Sequence, residues 1–233
     1  MSIRIAPAIR ISHAATRLSA LAPLAAGDLA ELDRAEGSTR QFTPHRDVSS
    51  ELTSASCLLL DGWACRSRIF ADGRRQIYKL LIPGDLIPAT DTSQRGMMTT
   101  SALTKVTLCR APEAQPGSGL AAAYEASRRI DADHLHRQIA RLGRMSAYER
   151  VVDLLLEMRE RLTVAGVTDG GSFPMPITQE VLADTLGLTS VHINRTVQAL
   201  RSQGMIEWRG GSVQFLDGAR LHEFVDYIDH RHR

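Results

Sequence analysis

The sequence predicts an α+β chain with an N-terminal antiparallel β-roll, a long helix and a C-terminal winged helix-turn-helix. Between about residues 41 and 109, short apolar segments alternate with turns built from Gly, Pro, Asp and Ser, the texture of a sandwich or roll. From Leu120 to Leu142 there are few helix breakers. Beyond it, two short helical segments, each opened by a threonine, meet at Gly187, which is the pattern of a helix-turn-helix.

Met1 to Leu24 carries three arginines among small and apolar residues without a continuous apolar run. It reads as a flexible lead-in over residues 1–25 and not a signal peptide, with a transit peptide as the competing reading. A short helical pattern covers Asp28 to Glu36. Ser56-Cys57-Leu58-Leu59-Leu60 reads as a buried strand, and Asp61-Gly62 as the turn that ends it. Trp63 to Phe70 alternates weakly as the next strand, and Asp72-Gly73 is a hairpin turn signal. Gln76 to Ile82 is a further strand, closed by Pro83-Gly84-Asp85, and Met98 to Cys109 supplies at least one more.

The helix from Leu120 to Leu142 has apolar residues at Leu120, Tyr124, Ile130, Leu135, Ile139 and Leu142, interrupted by Asp131 and His134. Such a semi-polar stripe suits a subunit seam better than a deep core, although packing on its own domain is the alternative. Gly143 should end it. Ser146-x-x-Glu149 is a capping box for another helix. Val151, Leu154, Leu155, Met158 and Leu162 recur there at helical spacing and should form the C-terminal core. A final helix from about Ala219 to His230 should bury Leu221, Phe224, Val225 and Ile228.

Within the helix-turn-helix, Thr178 and Thr189 are N-caps, because a hydroxyl can accept from a free amide of the first turn. Ile177 with Leu182, and Leu188 with Ile193, stand at the spacing of hydrophobic staples. Gly187 tolerates the left-handed conformation that stops the first helix. Thr196 shares the face of Ile193, where a larger aliphatic would pack better. The second helix then leaves Ser190, Val191, His192, Asn194, Arg195, Gln198 and Arg201 outward. Asn and Gln can pair bidentately with adenine, and Arg with guanine. His192, Thr178, Gln179 and Thr189 are within reach of phosphates in the same pose. Met205 to Trp208 and Ser212 to Phe215 flank Arg209-Gly210-Gly211 and make a hairpin wing. A packing or protein-binding module is the competing reading; the polar outer face favours double-stranded DNA.

Composition is that of an ordinary globular protein, 43% hydrophobic and 23% charged over 233 residues. The formal net charge is only +2, so affinity for DNA must come from local arginines and not from bulk charge. Lysine occurs only at Lys79 and Lys105. No apolar run reaches the length of a membrane span, and Cys57, Cys65 and Cys109 are too few and too far apart for a disulfide framework, which fits a cytoplasmic setting. No phosphate loop, nucleophile elbow or zinc-binding His-Glu spacing points to an enzyme.

Gly62-Trp63-Ala64, Asp72-Gly73-Arg74-Arg75-Gln76-Ile77, Pro83-Gly84-Asp85, and the segment from Leu182-Ala183-Asp184 through Gly187-Leu188-Thr189 to Asn194-Arg195 together resemble the Crp/Fnr superfamily of bacterial transcription regulators, from about residue 28 to the C-terminus. The resemblance implies a cyclic-nucleotide-binding-like β-roll sensor over residues 26–116, a dimerisation helix over 117–143 and a DNA-binding winged helix over 144–233. It also implies a homodimer on a near-palindromic site, with two recognition helices in successive major grooves about one turn apart. Contact with RNA polymerase follows from it too, as does a small-molecule effector of unknown identity.

Three departures matter. Cyclic-AMP-binding relatives carry Gly-Glu and then Arg-Ser to hold the phosphate; here the first place reads Pro88-Ala89, and the second falls near Gly96-Met97 with Arg95 one residue off. A phosphate needs a cation and aimed amides, so cyclic AMP is not expected to bind. Iron–sulfur members carry a cysteine cluster near the N-terminus, and this chain has none before Cys57; no cofactor is predicted. A haem- or thiol-based redox sensor, using Cys57, Cys65, Cys109, His134 or His136, is the alternative. Finally, Val191 stands where the family has a cytosine-reading Glu; valine can only touch a thymine methyl. Arg195 matches the family's arginine, and Asn194 replaces a small residue. The cassette departure gives the first prediction: titrating cyclic AMP into the protein in a calorimeter should release no saturable heat, and micromolar affinity would contradict it.

Overall fold

The computed structural model describes residues 12–53, 55–89, 98–169, 171–225 and 227. Its N-terminal half holds helices α1 (His13–Leu21) and α2 (Ala26–Glu36) and strands β1 (Thr39–Phe42), β2 (Cys57–Asp61), β3 (Ala64–Ile69), β4 (Arg75–Leu81), β5 (Leu86–Ile87), β6 (Thr99–Ala102) and β7 (Val106–Arg110). All pair antiparallel, in two sheets of order β1-β7-β2-β5 and β4-β3-β6. β1 and β5 are the strands the sequence pattern did not reveal. Gly62 joins β2 to β3 with φ of +83°; a Cβ there would lie 2.0 Å from the Lys105 carbonyl oxygen, so only glycine fits the turn.

Alternation along the strands sorts side chains into three apolar layers. Ala64, Leu81, Leu59, Ala102, Val106 and Leu108 fill the space between the sheets. Leu58, Leu86 and Cys109 face outward from the first sheet onto helices. Cys65, Ile77, Leu80 and Ile82 face outward from the second sheet and join the core of the C-terminal half. The C-terminal domain is therefore seated directly on the β4-β3 face, and one apolar cluster runs through both.

Residues 13–21 depart from the expected flexible lead-in. Ser12 caps α1, its hydroxyl accepting from the Ala15 amide at 3.0 Å. Ala14, Ala15 and Leu18 are buried against β2 and the helix that follows the roll. Burying a leucine of this kind contributes roughly 1.5–3 kcal/mol, which outweighs the weak local propensity that made the segment look loose. Arg17 is buried with them and donates to the Ser127 hydroxyl at 3.0 Å. Residues 1–11 of the expected lead-in lie outside the described residues.

The long helix α3 (Gly119–Arg144) overruns Gly143 by one residue. Its two halves do different things. Leu120, Ala123, Tyr124 and Ser127 are buried on the chain's own roll. Further along, Leu135 and Ile139 are 48% and 62% exposed, with Ala132 on the same stripe. An apolar stripe left bare over this length of helix is a candidate interaction surface.

The C-terminal half contains α4 (Ala147–Val164), β8 (Ser172–Pro174), α5 (Gln179–Leu186), α6 (Ser190–Ser202), β9 (Ile206–Arg209), β10 (Ser212–Phe215) and α7 (Gly218–Val225). The Ser146–Glu149 capping box forms, with the Ser146 amide donating to Glu149 at 2.6 Å. Val151, Leu154, Leu155, Met158 and Leu162 are buried as their spacing requires. The polar side of α4 is buried as well: Asp153, Glu157, Glu160 and Arg161 face neighbouring elements instead of water. In α7, Leu221 is buried but Phe224 is 46% exposed. The Phe224 ring lies on Tyr148 with centroids 4.6 Å apart, so it covers the domain from outside. Ile228 lies outside the described residues.

Ion pairs knit these layers together. Arg141 on α3, with a side chain 1% exposed, reaches Asp153 at 2.5 Å and Glu157 at 2.6 Å on α4. Arg161 on α4 reaches Glu157 at 3.1 Å and Asp85 at 2.7 Å. Asp85, in the Pro83-Gly84-Asp85 turn, also accepts from the Ile82 amide at 3.0 Å and lies 3.6 Å from Arg17. Burial alone would push the Asp85 carboxyl up; Arg161, Lys79 and Arg17 outweigh it and hold it down at about 2. A carboxyl held low in the folded state stabilises the fold above its unfolded pKa, near 4, and that stability is lost as pH falls through the folded value. The unfolding free energy from urea melts should therefore fall progressively between about pH 4 and pH 2.

Candidate nucleic-acid interface

The helix-turn-helix is built as its caps dictate. The Thr178 hydroxyl accepts from the Val181 amide at 3.2 Å, and the Thr189 hydroxyl from the His192 amide at 3.2 Å. Gly187 adopts φ +61° and ψ +39°, and its amide donates to the Ala183 carbonyl. The Leu188 amide donates to the same carbonyl at 3.1 Å, so the backbone reverses at once into α6. Val181, Leu182, Ala183 and Leu186 of α5 and Ile193, Val197 and Leu200 of α6 share one core, with Ile177 and Leu188 packed at its edge. Thr196 is buried beside them.

What remains on α6 faces outward. Ser190, Val191, His192, Asn194, Arg195 and Gln198 are all exposed, as are Thr178, Gln179 and Thr189 around the two helix starts. These nine residues thus share the exposed surface of this motif, while Arg201, also expected outward, is half-buried. Val191, at 69% exposure, is a large apolar side chain with nothing over it. Asn194 donates to the Gln179 amide oxygen at 3.4 Å, which ties the middle of the second helix to the start of the first. The wing adds a three-stranded sheet in the order β8-β10-β9. Val213 pairs with Trp208 and Phe173 across it, and the Arg209-Gly210 turn is exposed at its tip.

One part of the site was invisible in the sequence. The last carbonyls of a helix have no partner within it and must find one elsewhere. At the end of α5, the Asp184 carbonyl accepts from Gln76 of β4 at 2.9 Å. The Thr185 carbonyl accepts from Gln138 of α3 at 2.6 Å and from Gln76 at 3.3 Å. The Leu186 carbonyl accepts from Arg150 of α4 at 2.9 Å. Arg75 of β4 adds an ion pair to the Asp184 carboxylate at 2.7 Å. These partners lie 36 to 109 residues away in sequence, and no local pattern announces them.

The alternative sensor residues do not all gather. Cys57 and Cys109 stand on the paired strands β2 and β7 and both line one cavity of the first sheet, although they pack in different apolar layers, while Cys65 lies apart in a third. Burial pushes their thiols up, to about 11 for Cys57 and Cys65 and about 12 for Cys109, which suppresses the reactive thiolate at neutral pH. Burial holds the His134 imidazole down at about 3, while His136 is exposed on α3. Among the described residues, no three of His, Cys, Asp and Glu are grouped to hold a metal ion. A cavity of about 320 Å³ opens between the second sheet, α3 and α4, with Arg66, Tyr78, Lys79, Asp131 and His134 on its wall. Lys79 is paired to Asp131 across it at 2.5 Å, and Arg66 donates to the Pro88 carbonyl at 2.8 Å. Arg95, Gly96 and Met97 of the degraded cassette lie outside the described residues. No helix among the described residues is long and apolar enough to cross a membrane.

Residues 149–224 match the Crp-like helix-turn-helix domain. The chain is 32% identical over 220 residues to the nitrogen fixation regulation protein FixK of Bradyrhizobium diazoefficiens, covering 90% of this chain and 91% of that protein. It is 31% identical over 222 residues to the transcriptional activatory protein AadR of Rhodopseudomonas palustris, with 90% of each covered. Among solved structures, FixK2 from Bradyrhizobium japonicum superposes with a TM-score of 0.63 at 20% identity, over 82% of this chain and 98% of that one.

The left-handed turn at Gly187 carries a testable cost. A Cβ there would be strained by its positive φ and would stand 3.3 Å from the Leu142 side chain. Gly187→Ala should destabilise the fold by about 1 kcal/mol, read as a lower urea midpoint with an unchanged slope.

Proposed function

From the premise that this chain belongs to the Crp/Fnr family of DNA-binding transcription regulators, and is not an enzyme, we propose that it works in the cytoplasm as a homodimer on a near-palindromic duplex site. The observation that carries the reading is the outer face of α6, where Val191, Asn194, Arg195 and Gln198 are exposed while the opposite face is locked into the core. The bare Leu135–Ile139 stripe of α3 supports pairing of two copies along that helix. Two α6 helices related by that axis enter successive major grooves, and operator symmetry follows from protein symmetry.

The roles divide by chemistry. Thr178, Gln179, Thr189, Ser190 and His192, at the starts of the two helices, take phosphates; their backbone amides and the positive helix ends favour anions. Arg195 pairs with guanine, and Asn194 and Gln198 with adenine. Val191 offers a methyl surface to thymine in place of a carboxylate for cytosine, so the half-site differs at that base from the usual family site. RNA polymerase is the partner at the promoter. The cavity between β4, α3 and α4 supports a small-molecule effector. Among its cations, Lys79 is paired with Asp131 and Arg66 donates to the Pro88 carbonyl; the expectation that cyclic AMP does not bind rests on Pro88-Ala89 standing where the cassette has Gly-Glu.

Selection from random duplexes tests this directly. Wild-type protein should enrich a split near-palindrome. Arg195→Ala should cost about 1–3 kcal/mol at one position of each half-site and relax its sequence there. Val191→Glu should move the preference at one base toward cytosine. Enrichment of no motif, or an unchanged motif at unchanged affinity in Arg195→Ala, would defeat the assignment.

A further inference from the structure

We propose that Gln138 and Gln76 are positioning residues that set the separation of the two recognition helices, and hence the spacer between DNA half-sites. Both donate to one atom, the Thr185 carbonyl oxygen, at 2.6 Å and 3.3 Å. Gln138 belongs to the long helix, Gln76 to the sensor sheet, and Thr185 to the last turn before the Gly187 reversal. The angle of α6 is defined at that reversal, so whatever holds the end of α5 also aims α6. The inference rests on the homodimer reading above, since a spacer has meaning only for paired copies.

Three features show that the contact is built and not incidental. First, the carbonyls left over at the end of α5 are met by three different elements: Asp184 by β4, Thr185 by α3 and β4, Leu186 by Arg150 of α4. Second, Gln138 is itself fixed. It is 4% exposed, and its amide oxygen accepts from Arg141 at 2.5 Å, which leaves the amide nitrogen facing Thr185. Arg141 in turn is locked by Asp153 and Glu157. The amide is therefore held from behind by a buried guanidinium and cannot turn away without leaving the Arg141 Nη1 donor unmet. Third, the sheet side repeats the logic: Gln76 spans Asp184 and Thr185 while Arg75 pairs with the Asp184 carboxylate. The turn of the helix-turn-helix is thus suspended between the element that sets the dimer axis and the sheet that forms the sensor.

The substitution Gln138→Glu separates this role from simple packing. A glutamate keeps an oxygen for Arg141 but has no N–H for Thr185, and it places a carboxylate at the negative end of α5. Full-length wild type and variant are titrated with duplexes that carry the same two half-sites, taken from the wild-type selection, at a series of spacer lengths. Wild type should show one sharply preferred spacer. Gln138→Glu should bind that duplex about tenfold more weakly and flatten or shift the spacer profile, while its half-site base preference and its dimeric state stay the same. Gln76→Leu, which removes the second donor from a partly exposed position, should shift the profile in the same sense and serves if Gln138→Glu does not fold. A sharp wild-type profile retained by both folded variants at equal affinity overturns this inference alone. A wild type without any spacer preference overturns it together with the homodimer reading.

Discussion

A guanidinium withdrawn from water must be met by carboxylates or carbonyls, or the fold that buries it does not form. Arg141 and Arg161 are almost completely buried, and they set this condition for the whole chain. Arg141 on α3 demands Asp153 and Glu157 on α4; Arg161 on α4 demands Asp85 in the roll and the Leu80 carbonyl, 2.9 Å away. Asp85 then holds Arg17 of α1. Such pairs add little net stability over well-packed apolar residues. Their effect is to make wrong arrangements costly, because shifting any one of these elements strands a buried charge. Burial would raise the Glu157 carboxyl, yet Arg141, with His134 and Arg161 behind it, holds it well below the usual carboxylate range; it stays ionised, so the guanidiniums stay neutralised.

From that condition the geometry of the DNA-binding motif follows. Once α3, α4 and the roll are registered against one another, their side chains arrive at fixed points around the end of α5. Gln76, Gln138 and Arg150 satisfy the carbonyls that helix geometry leaves over. Satisfying them from three directions removes the freedom that a helix end tethered only by its own domain would keep. On the opposite side of the motif, among the described residues, the outer face of α6 carries the Asn194–Gln179 contact and the Thr189–His192 contact and is otherwise exposed. The molecule spends its internal hydrogen bonds on aiming the helix and leaves the reading face for another partner.

Local rules were legible in the sequence, and long-range ones were not. Thr178, Thr189, Gly187 and the Ser146–Glu149 box could be read because a cap and its partner lie within four residues. The hairpin at Asp72-Gly73 and the inward face of α4 were legible for the same reason. Helix α1 was missed because its buried apolar surface is small, Ala14, Ala15 and Leu18. The burial of the polar face of α4 was not legible, since nothing near Asp153 or Glu157 in sequence reveals Arg141 across the helix junction. Phe224 is placed inside by periodicity alone, whereas its ring lies 46% exposed against Tyr148. The outward face of α6 could be listed residue by residue, but its aim depends on Gln76 and Gln138, which only the folded chain brings to it.

The same distinction changes how the charge of the chain should be understood. A formal net charge of +2 suggests weak attraction to a polyanion. Arg17, Arg141 and Arg161 are buried against Asp85, Asp153 and Glu157, so they cancel inside the protein and project little field outside. What DNA meets is the surface population. On α6 and the wing its cations are arginines: Arg195 exposed, Arg201 partly so, and Arg209 exposed but paired with Glu207 at 2.9 Å. An arginine contributes a fixed fork of donors as well as its charge. A surface with few cations, each able to pair in two places, gains less from counterion release and more from base geometry. Low net charge and a guanidinium-rich reading face are therefore consistent with one another: both shift the weight of recognition from phosphate attraction to sequence.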